Sequence, residues 1–324
     1  MNKLTATNLP VEVLQAELRI RPYTLTTPLL ESLPLSQEGA RVFLKLENEQ
    51  HTGSFKARGA MSKVLSLTEE QRRRGIVTAS TGNYALGIAR AVRETGTKGI
   101  VFVPTNADTS KVAVIKQYGV EVRYIEAGLP ETISHAQARR VAEELDMAWA
   151  SPYNDLQVIG GQGTIAIELL QQLKDIDYVF VTVGGGGLIA GIAGYLRAVS
   201  PRTKVIGCLP ENSAEMYHCV KAGKFVSIQG DETLSDGSAG GFEEGSITLP
   251  LCQELVKDWV LITEDEIKQA VKLVLKEHHK LIEGSAGVAV ASFLKRSKEL
   301  AGKKVVIVIC GGNMAPATLQ KILS

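Results

Sequence analysis

Lys56 stands at the fourth place of "GSFKARGA" (53–60), behind Gly-Ser-Phe and two residues before Arg58. The pattern puts it just inside the start of a helix. A lysine amine attacks carbonyl compounds only when neutral, and a buried site with nearby positive charge favours that form. A helix N-terminus supplies positive partial charge, and Arg58 is expected to add to it. Ordinary surface decoration is the competing reading. A second stretch with chemistry in it is "VFVTVGGGGLIAGIAGYL", where a buried strand runs into Gly184, Gly185, Gly186 and Gly187 and a helix opens near Leu188. Glycines bend tightly and bare their N–H groups, and the helix start adds about half a positive charge. Together they make a cradle for a phosphate; a plain glycine-rich connection is the alternative.

The same glycines satisfy the relaxed dinucleotide fingerprint as Gly185-x-Gly187-x-x-Ala190. That reading wants an acidic residue at the end of the next strand, about 20 positions on. The next strand, "KVIGCL" (204–209), ends in Leu209, and no G-x-x-x-x-G-K-[ST] loop occurs. A nucleotide binder or a nicotinamide oxidoreductase is therefore the weaker expectation.

The elements that must position these residues alternate. Strand-like runs fall at 41–47, 75–80, 99–104, 120–125, 178–183, 204–209 and 304–310, with helical spacing at 83–94, 132–145, 160–174, 188–199 and 264–278. Thr263 and Glu266 fit a capping box for the last of these helices. The alternation predicts an α/β chain with parallel-rich sheets covered by helices on both faces. A compact βαβαβα-type block predicts a small domain at 72–148, inserted in a larger one made of 1–71 and 149–324, with a cleft between them.

The 324 residues are 44% hydrophobic and 22% charged, enough for a full core. Lys plus Arg number 36 against 35 Asp plus Glu, so charge gives no case for nucleic acid or an acidic surface as partner. Cys208, Cys219, Cys252 and Cys310 form no C-x-x-C pair and read as reduced thiols of a cytoplasmic protein. No signal peptide or apolar run of about 18 residues appears, so no membrane partner is expected.

The motifs "ENEQHTGSFKARGA", "ASTGNYALGIA", "GQGTIAIEL", "VGGGGLIAGIA", "EGSAGVAVAS" and "CGGNM" occur in one order along the chain. In that order they resemble the serine/threonine dehydratases and serine racemases, pyridoxal-phosphate enzymes with a two-domain fold like the tryptophan synthase β-subunit. The resemblance covers the chain from about residue 20 onward. It implies pyridoxal 5'-phosphate in the interdomain cleft, with Lys56 as the Schiff-base lysine and the base for the substrate's α-proton. By the same resemblance, Gly184 to Gly187 and Leu188 take the phosphate, and Asn83 meets the ring hydroxyl. Phe55 is either beside the ring or a core aromatic. Glu283 is close to the cofactor, and Cys310 faces the pyridine nitrogen. A thiol is a poor acid toward pyridine, so the ring nitrogen is expected to stay unprotonated, which favours prompt β-elimination.

Ser80, Thr81 and Gly82 resemble the loop that receives the substrate carboxylate, and their place between a strand and a helix suits an anion. Tyr153 and His135 fall where the family lines the substrate end of the cleft; for His135, simple exposure on a helix is the alternative. The segment 234–250 aligns with a family loop near the cofactor.

Three departures stand out. Tyr84 replaces a histidine common in the family. Thr81 takes the place of the serine that racemases use as a second base. Leu209 replaces a carboxylate of metal-binding relatives, so no metal is expected. These features imply a dehydratase that turns a β-hydroxy-α-amino acid such as L-threonine or L-serine into a 2-oxo acid and ammonia, as a homodimer. A serine-type racemase is the alternative, as is a dehydratase for a bulkier or charged substrate such as phenylserine or 3-hydroxyaspartate.

Overall fold

The computed structural model describes residues 8–80, 82–107, 109–128 and 131–324. In chain order the elements are α1 (Leu9–Ile20), β1 (Leu29–Glu31), β2 (Arg41–Leu46), α2 (Lys56–Ser66), α3 (Glu69–Arg74), β3 (Ile76–Ala79) and α4 (Asn83–Thr95). There follow β4 (Gly99–Pro104), α5 (Thr109–Gln117), β5 (Glu121–Ile125), α6 (Glu131–Glu144), β6 (Ala148–Trp149), α7 (Leu156–Gln172), β7 (Tyr178–Thr182) and α8 (Gly187–Val199). The remainder are β8 (Lys204–Pro210), α9 (Glu215–Ala222), α10 (Thr248–Leu255), β9 (Asp258–Ile262), α11 (Glu264–His278), α12 (Gly284–Arg296), β10 (Lys304–Ile309) and α13 (Pro316–Leu323).

The strands form two sheets. One has the order β1-β2-β10-β7-β8-β9, the other β5-β4-β3-β6. Every pairing is parallel except β1 with β2. Central strands such as β3 and β10 are buried along nearly their whole length, as strands covered by helices on both faces must be. The chain is thus α/β with parallel-rich sheets flanked by helices. No helix among the described residues is long and apolar enough to cross a membrane.

Local signals account for the helix starts that matter. The Thr263–Glu266 capping box is formed at α11, and an equivalent box joins Thr68 to Gln71 at α3. Asp155 caps α7 by accepting from the amides of Gln157 and Val158. Parallel strands leave their carboxyl ends on one side of a sheet, and ligands gather there. Residues after β2, β3, β7 and β10 contribute to the site described below.

Arg58 departs from its expected role. It is fully buried and faces away from solvent into a cluster of charges, so it does not lend its charge to Lys56. Its Nε donates to Glu47 (2.7 Å) and its Nη1 to Glu168 (2.7 Å); Lys45 Nζ donates to Glu168 at 2.6 Å. Thr27 Oγ1 donates to Glu47 at 2.6 Å, which leaves little of either carboxylate unsatisfied. Burial pushes the Glu168 carboxyl up, but Arg58 and Lys45 outweigh it and hold the group down at about 2. The cluster ties β2, the first turn of α2 and α7 into one unit.

A buried ion pair that loses one partner strands the other charge. Arg58→Met is expected to destabilise the chain by about 3–5 kcal/mol in denaturant unfolding, because Glu47 and Glu168 remain sealed in; a loss near zero would contradict the cluster. Glu168 has a depressed folded value against roughly 4.3 when unfolded, so its contribution is present above that pH and fades as the pH falls toward 2. Glu168→Gln is expected to lessen the drop in stability across that acid window.

Candidate active site

The stretch leading to Lys56 is stitched to the end of β10. Phe55 N donates to Cys310 O (3.0 Å), Gly312 N donates to Gly53 O (3.0 Å), and Ser54 bridges to Gly311. This lacing carries Lys56, at the first position of α2, to the strand end that bears Cys310. Lys56 Nζ donates to Pro152 O at 3.1 Å.

Facing it is the glycine loop between β7 and α8. Gly186 has φ +85°, a left-handed conformation that suits glycine, and caps α8 without a side chain. The first-turn amides of α8 are therefore open to a ligand rather than to a cap. The loop also has no room for side chains. A Cβ on Gly185 would stand 2.3 Å from Tyr153 Cγ, and one on Gly184 would stand 2.6 Å from Ser238 O. Gly184 to Leu188 line a small cavity of about 50 Å³ together with Phe55, Lys56, Asn83, Tyr153, Glu283 and Cys310. It adjoins a cavity of about 680 Å³ lined by Ser80, Gly82, Asn83, Tyr84, His135 and Tyr153 among others. Every described residue singled out from the sequence for the site thus faces one of two adjoining cavities; Thr81 lies outside the described residues.

Between the cavities lies a knot of amides around one carboxyl. Asn83 Nδ2 donates to both oxygens of Glu283 (3.0 Å each). Asn313 N donates to Glu283 at 3.2 Å, and Asn313 Nδ2 donates to Asn83 Oδ1 and to Thr52 O, each at 2.7 Å. Gly311 keeps this space clear, since a Cβ there would meet Glu283 at 2.6 Å. Burial pushes the Glu283 carboxyl up to about 7; the Asn83 hydrogen bonds oppose the rise and Asp236 adds to it. Burial, with Glu283 nearby, also holds the Cys310 thiol well above its usual range, so it remains S–H at neutral pH.

His135 is not an exposed helix residue. It is 2% exposed, and its ring centre lies 5.7 Å from Trp149 and 6.2 Å from Tyr153. Tyr153 Oη accepts from Glu243 N (3.2 Å), and Glu243 accepts from Asn154 (2.6 Å) and Arg139 (3.2 Å). The segment 234–250 therefore straps Tyr153 and α6 together beside the cavity. Sequence reasoning missed Asn313, although "CGGNM" contains it, and it missed Glu243. Asn313 meets Asn83 and Thr52 across 230 and 261 positions, and Glu243 meets Asn154 across 89, distances that no local pattern encodes. Among the described residues, no group of three His, Cys, Asp or Glu side chains is placed to hold a metal.

The residues fit pyridoxal phosphate: uncapped amides for the phosphate, an amine for the aldehyde and a neutral thiol for a ring nitrogen. The family model for pyridoxal-phosphate dependent enzymes matches residues 20–311. An L-threonine ammonia-lyase of Thermotoga maritima is 36% identical over 314 residues, 97% of this chain and 77% of that one. The catabolic L-threonine dehydratase of Escherichia coli K12 is 35% identical over 321 residues, 97% of each chain. Among solved structures, threonine deaminase isoform 2 of Solanum lycopersicum superposes with TM-score 0.92 at 31% identity, covering 98% of this chain and 92% of that one. Serine racemase of Dictyostelium discoideum gives 0.87 at 34% identity, covering 96% and 100%.

Gly185→Ala must displace either the loop or Tyr153. It is expected to weaken pyridoxal phosphate binding at least about tenfold, a loss of roughly 1.4 kcal/mol, by equilibrium dialysis; unchanged affinity would contradict the cradle. Glu283, with its raised folded value, binds a proton that the unfolded chain has released, so its presence makes stability fall as pH rises from about 4.3 to about 7. Glu283→Gln is expected to remove that fall; a persisting slope of the same size would assign it to another group.

Proposed function

The chain belongs to the family of pyridoxal-phosphate-dependent enzymes, and on that premise we propose that it is a dehydratase of β-hydroxy-α-amino acids, with L-threonine and L-serine as substrates and a 2-oxo acid and ammonia as products. The observation that carries this reading is the convergence of Lys56, the glycine loop, Asn83 and Cys310 on one pair of cavities, in a chain whose relatives include threonine dehydratases.

When bound, pyridoxal phosphate draws electrons from the α-carbon of an amino acid and so makes its proton removable. Gly184 to Gly187 and Leu188 hold the phosphate through backbone amides and the start of α8. Lys56 Nζ would hold the cofactor and would be the base for the substrate's α-proton. Asn83 meets the ring hydroxyl and is fixed in orientation by Glu283 and Asn313. The Cys310 thiol accompanies the ring nitrogen without protonating it. Ser80 and Gly82, with Thr81 between them, receive the substrate carboxylate, and Tyr153 and His135 wall the far end. Residues 72–148 are the small inserted domain and 1–71 with 149–324 the large one, with the cleft between them. The enzyme acts in the cytoplasm as a homodimer.

The likeness to a serine racemase supports a second reading, in which the α-centre inverts and the hydroxyl stays. Thr81 would then be the second base, and Thr81→Ala would slow inversion far more than elimination.

The purified protein with its cofactor is expected to release 2-oxo acid from L-threonine and L-serine, and Lys56→Ala to lower turnover by about a thousandfold or more. Undiminished turnover in Lys56→Ala would refute the role of that residue. Loss of L-serine to its mirror image without oxo acid would turn the reading to racemisation.

A further inference from the structure

Helix α4 packs against the first turn of α2 so closely that a Cβ at Gly87 would stand 3.0 Å from the carbonyl oxygen of Lys56. That approach brings Tyr84, one turn before Gly87, to the lysine amine. Lys56 Nζ lies 5.6 Å from the centre of the Tyr84 ring and 5.1 Å from that of Phe55. Tyr84 is 2% exposed and lines the larger cavity. Its hydroxyl is buried with no hydrogen-bond partner among the described residues. Among the described residues the hydroxyl makes no hydrogen bond that explains Tyr84, whereas the ring has a contact that does: an aromatic face attracts a cation within about 6 Å of its centre.

We propose that Tyr84 tunes Lys56: its ring face favours the charged amine and so sets the pH at which that amine can attack a carbonyl or accept a proton. This rests on the reading of Lys56 as the residue that holds the cofactor and takes the α-proton. The histidine that the family commonly carries here would behave differently, because it gains positive charge near neutrality and would repel an ammonium. Tyr84 stays a neutral phenol, since burial raises its hydroxyl well above the ordinary range.

Other charged or titratable groups surround the same amine. Cys310 follows β10, Glu283 precedes α12, Asp236 and Lys111 pair at 3.8 Å between the 236–238 turn and α5, and His135 comes from α6. Arg58 and Glu47 neutralise one another beneath α2. Burial brings the Glu283 carboxyl up to about 7, so the test is run in both the native and the Glu283→Gln chain.

The test replaces Tyr84 by phenylalanine, by fluorinated phenylalanines of increasing fluorine content, and by leucine, in the full chain. Fluorination keeps the shape and drains the ring face of electron density, so it separates cation binding from packing. Two readouts are followed against pH: the rate at which the protein freed of cofactor captures pyridoxal phosphate, and the acid limb of kcat in the loaded enzyme. Tyr84→Phe should leave both midpoints in place. Each step of fluorination should move them down, and Tyr84→Leu should move them down by about 0.4 to 1.5 pH units. Midpoints indifferent to fluorination, or a Tyr84→Phe shift as large as that of Tyr84→Leu, would overturn the proposal. Lys56→Ala separates the two levels. If that chain captures the cofactor with the native pH dependence, the reading of Lys56 fails; if it does not, a null result in the fluorinated series counts against Tyr84 alone.

Discussion

A guanidinium sealed from water between two carboxylates determines where Lys56 can stand. Charges without solvent must be paired closely or the fold does not form. Arg58 reaches Glu47 and Glu168 at 2.7 Å, and Lys45 closes on Glu168 from β2. Because Arg58 lies two residues beyond Lys56, this pairing fixes the first turn of α2 against β2 and α7. The same turn is laced to the end of β10 by backbone hydrogen bonds through Phe55 and Gly53. The reactive amine therefore sits on a rigid base rather than on a loop, which is what a site with close geometric demands requires.

Around that amine the chain uses small residues to let backbone and rings approach. Gly185 admits Tyr153, Gly311 admits Glu283, and Gly87 admits the carbonyl of Lys56. The glycine loop is thus shaped by what packs behind it as much as by the ligand in front of it. Glu283 is held by Asn83 and Asn313 in surroundings that favour its neutral form. Apart from Lys56 and the Asp236–Lys111 pair, the cleft is lined by hydrogen-bonded groups of little charge, a thiol, a carboxyl whose ionisation burial opposes, and amides, while the sealed ion pairs lie in the cluster below.

Much of the fold was legible because strand runs and helix periods alternate with clear boundaries. The run 99–104 is β4 residue for residue, and 264–278 is α11. The β-strand Asp258–Ile262 is hard to see in the sequence because it opens on an acidic residue and runs straight into the Thr263 cap of α11, and β6, with two residues, leaves no periodic trace. The motifs brought Lys56, Asn83, Glu283 and the glycine loop into view, since each lies at the start of a helix. What stayed hidden was pairing at a distance. Arg58 beside Lys56 in sequence looks like a second charge for the site, yet its partner Glu168 is 110 positions away and turns it inward. His135 looks like a surface residue until Trp149 and Tyr153 are seen to enclose it.

The chemistry of the cleft converges on one nitrogen atom, Lys56 Nζ. Reduction of the cofactor-loaded protein with borohydride, followed by peptide mass mapping, would fix the cofactor where it is held. The account predicts a single pyridoxyl group, on the peptide that contains Lys56. A label on a different lysine, or none on a protein that retains its cofactor, would contradict it.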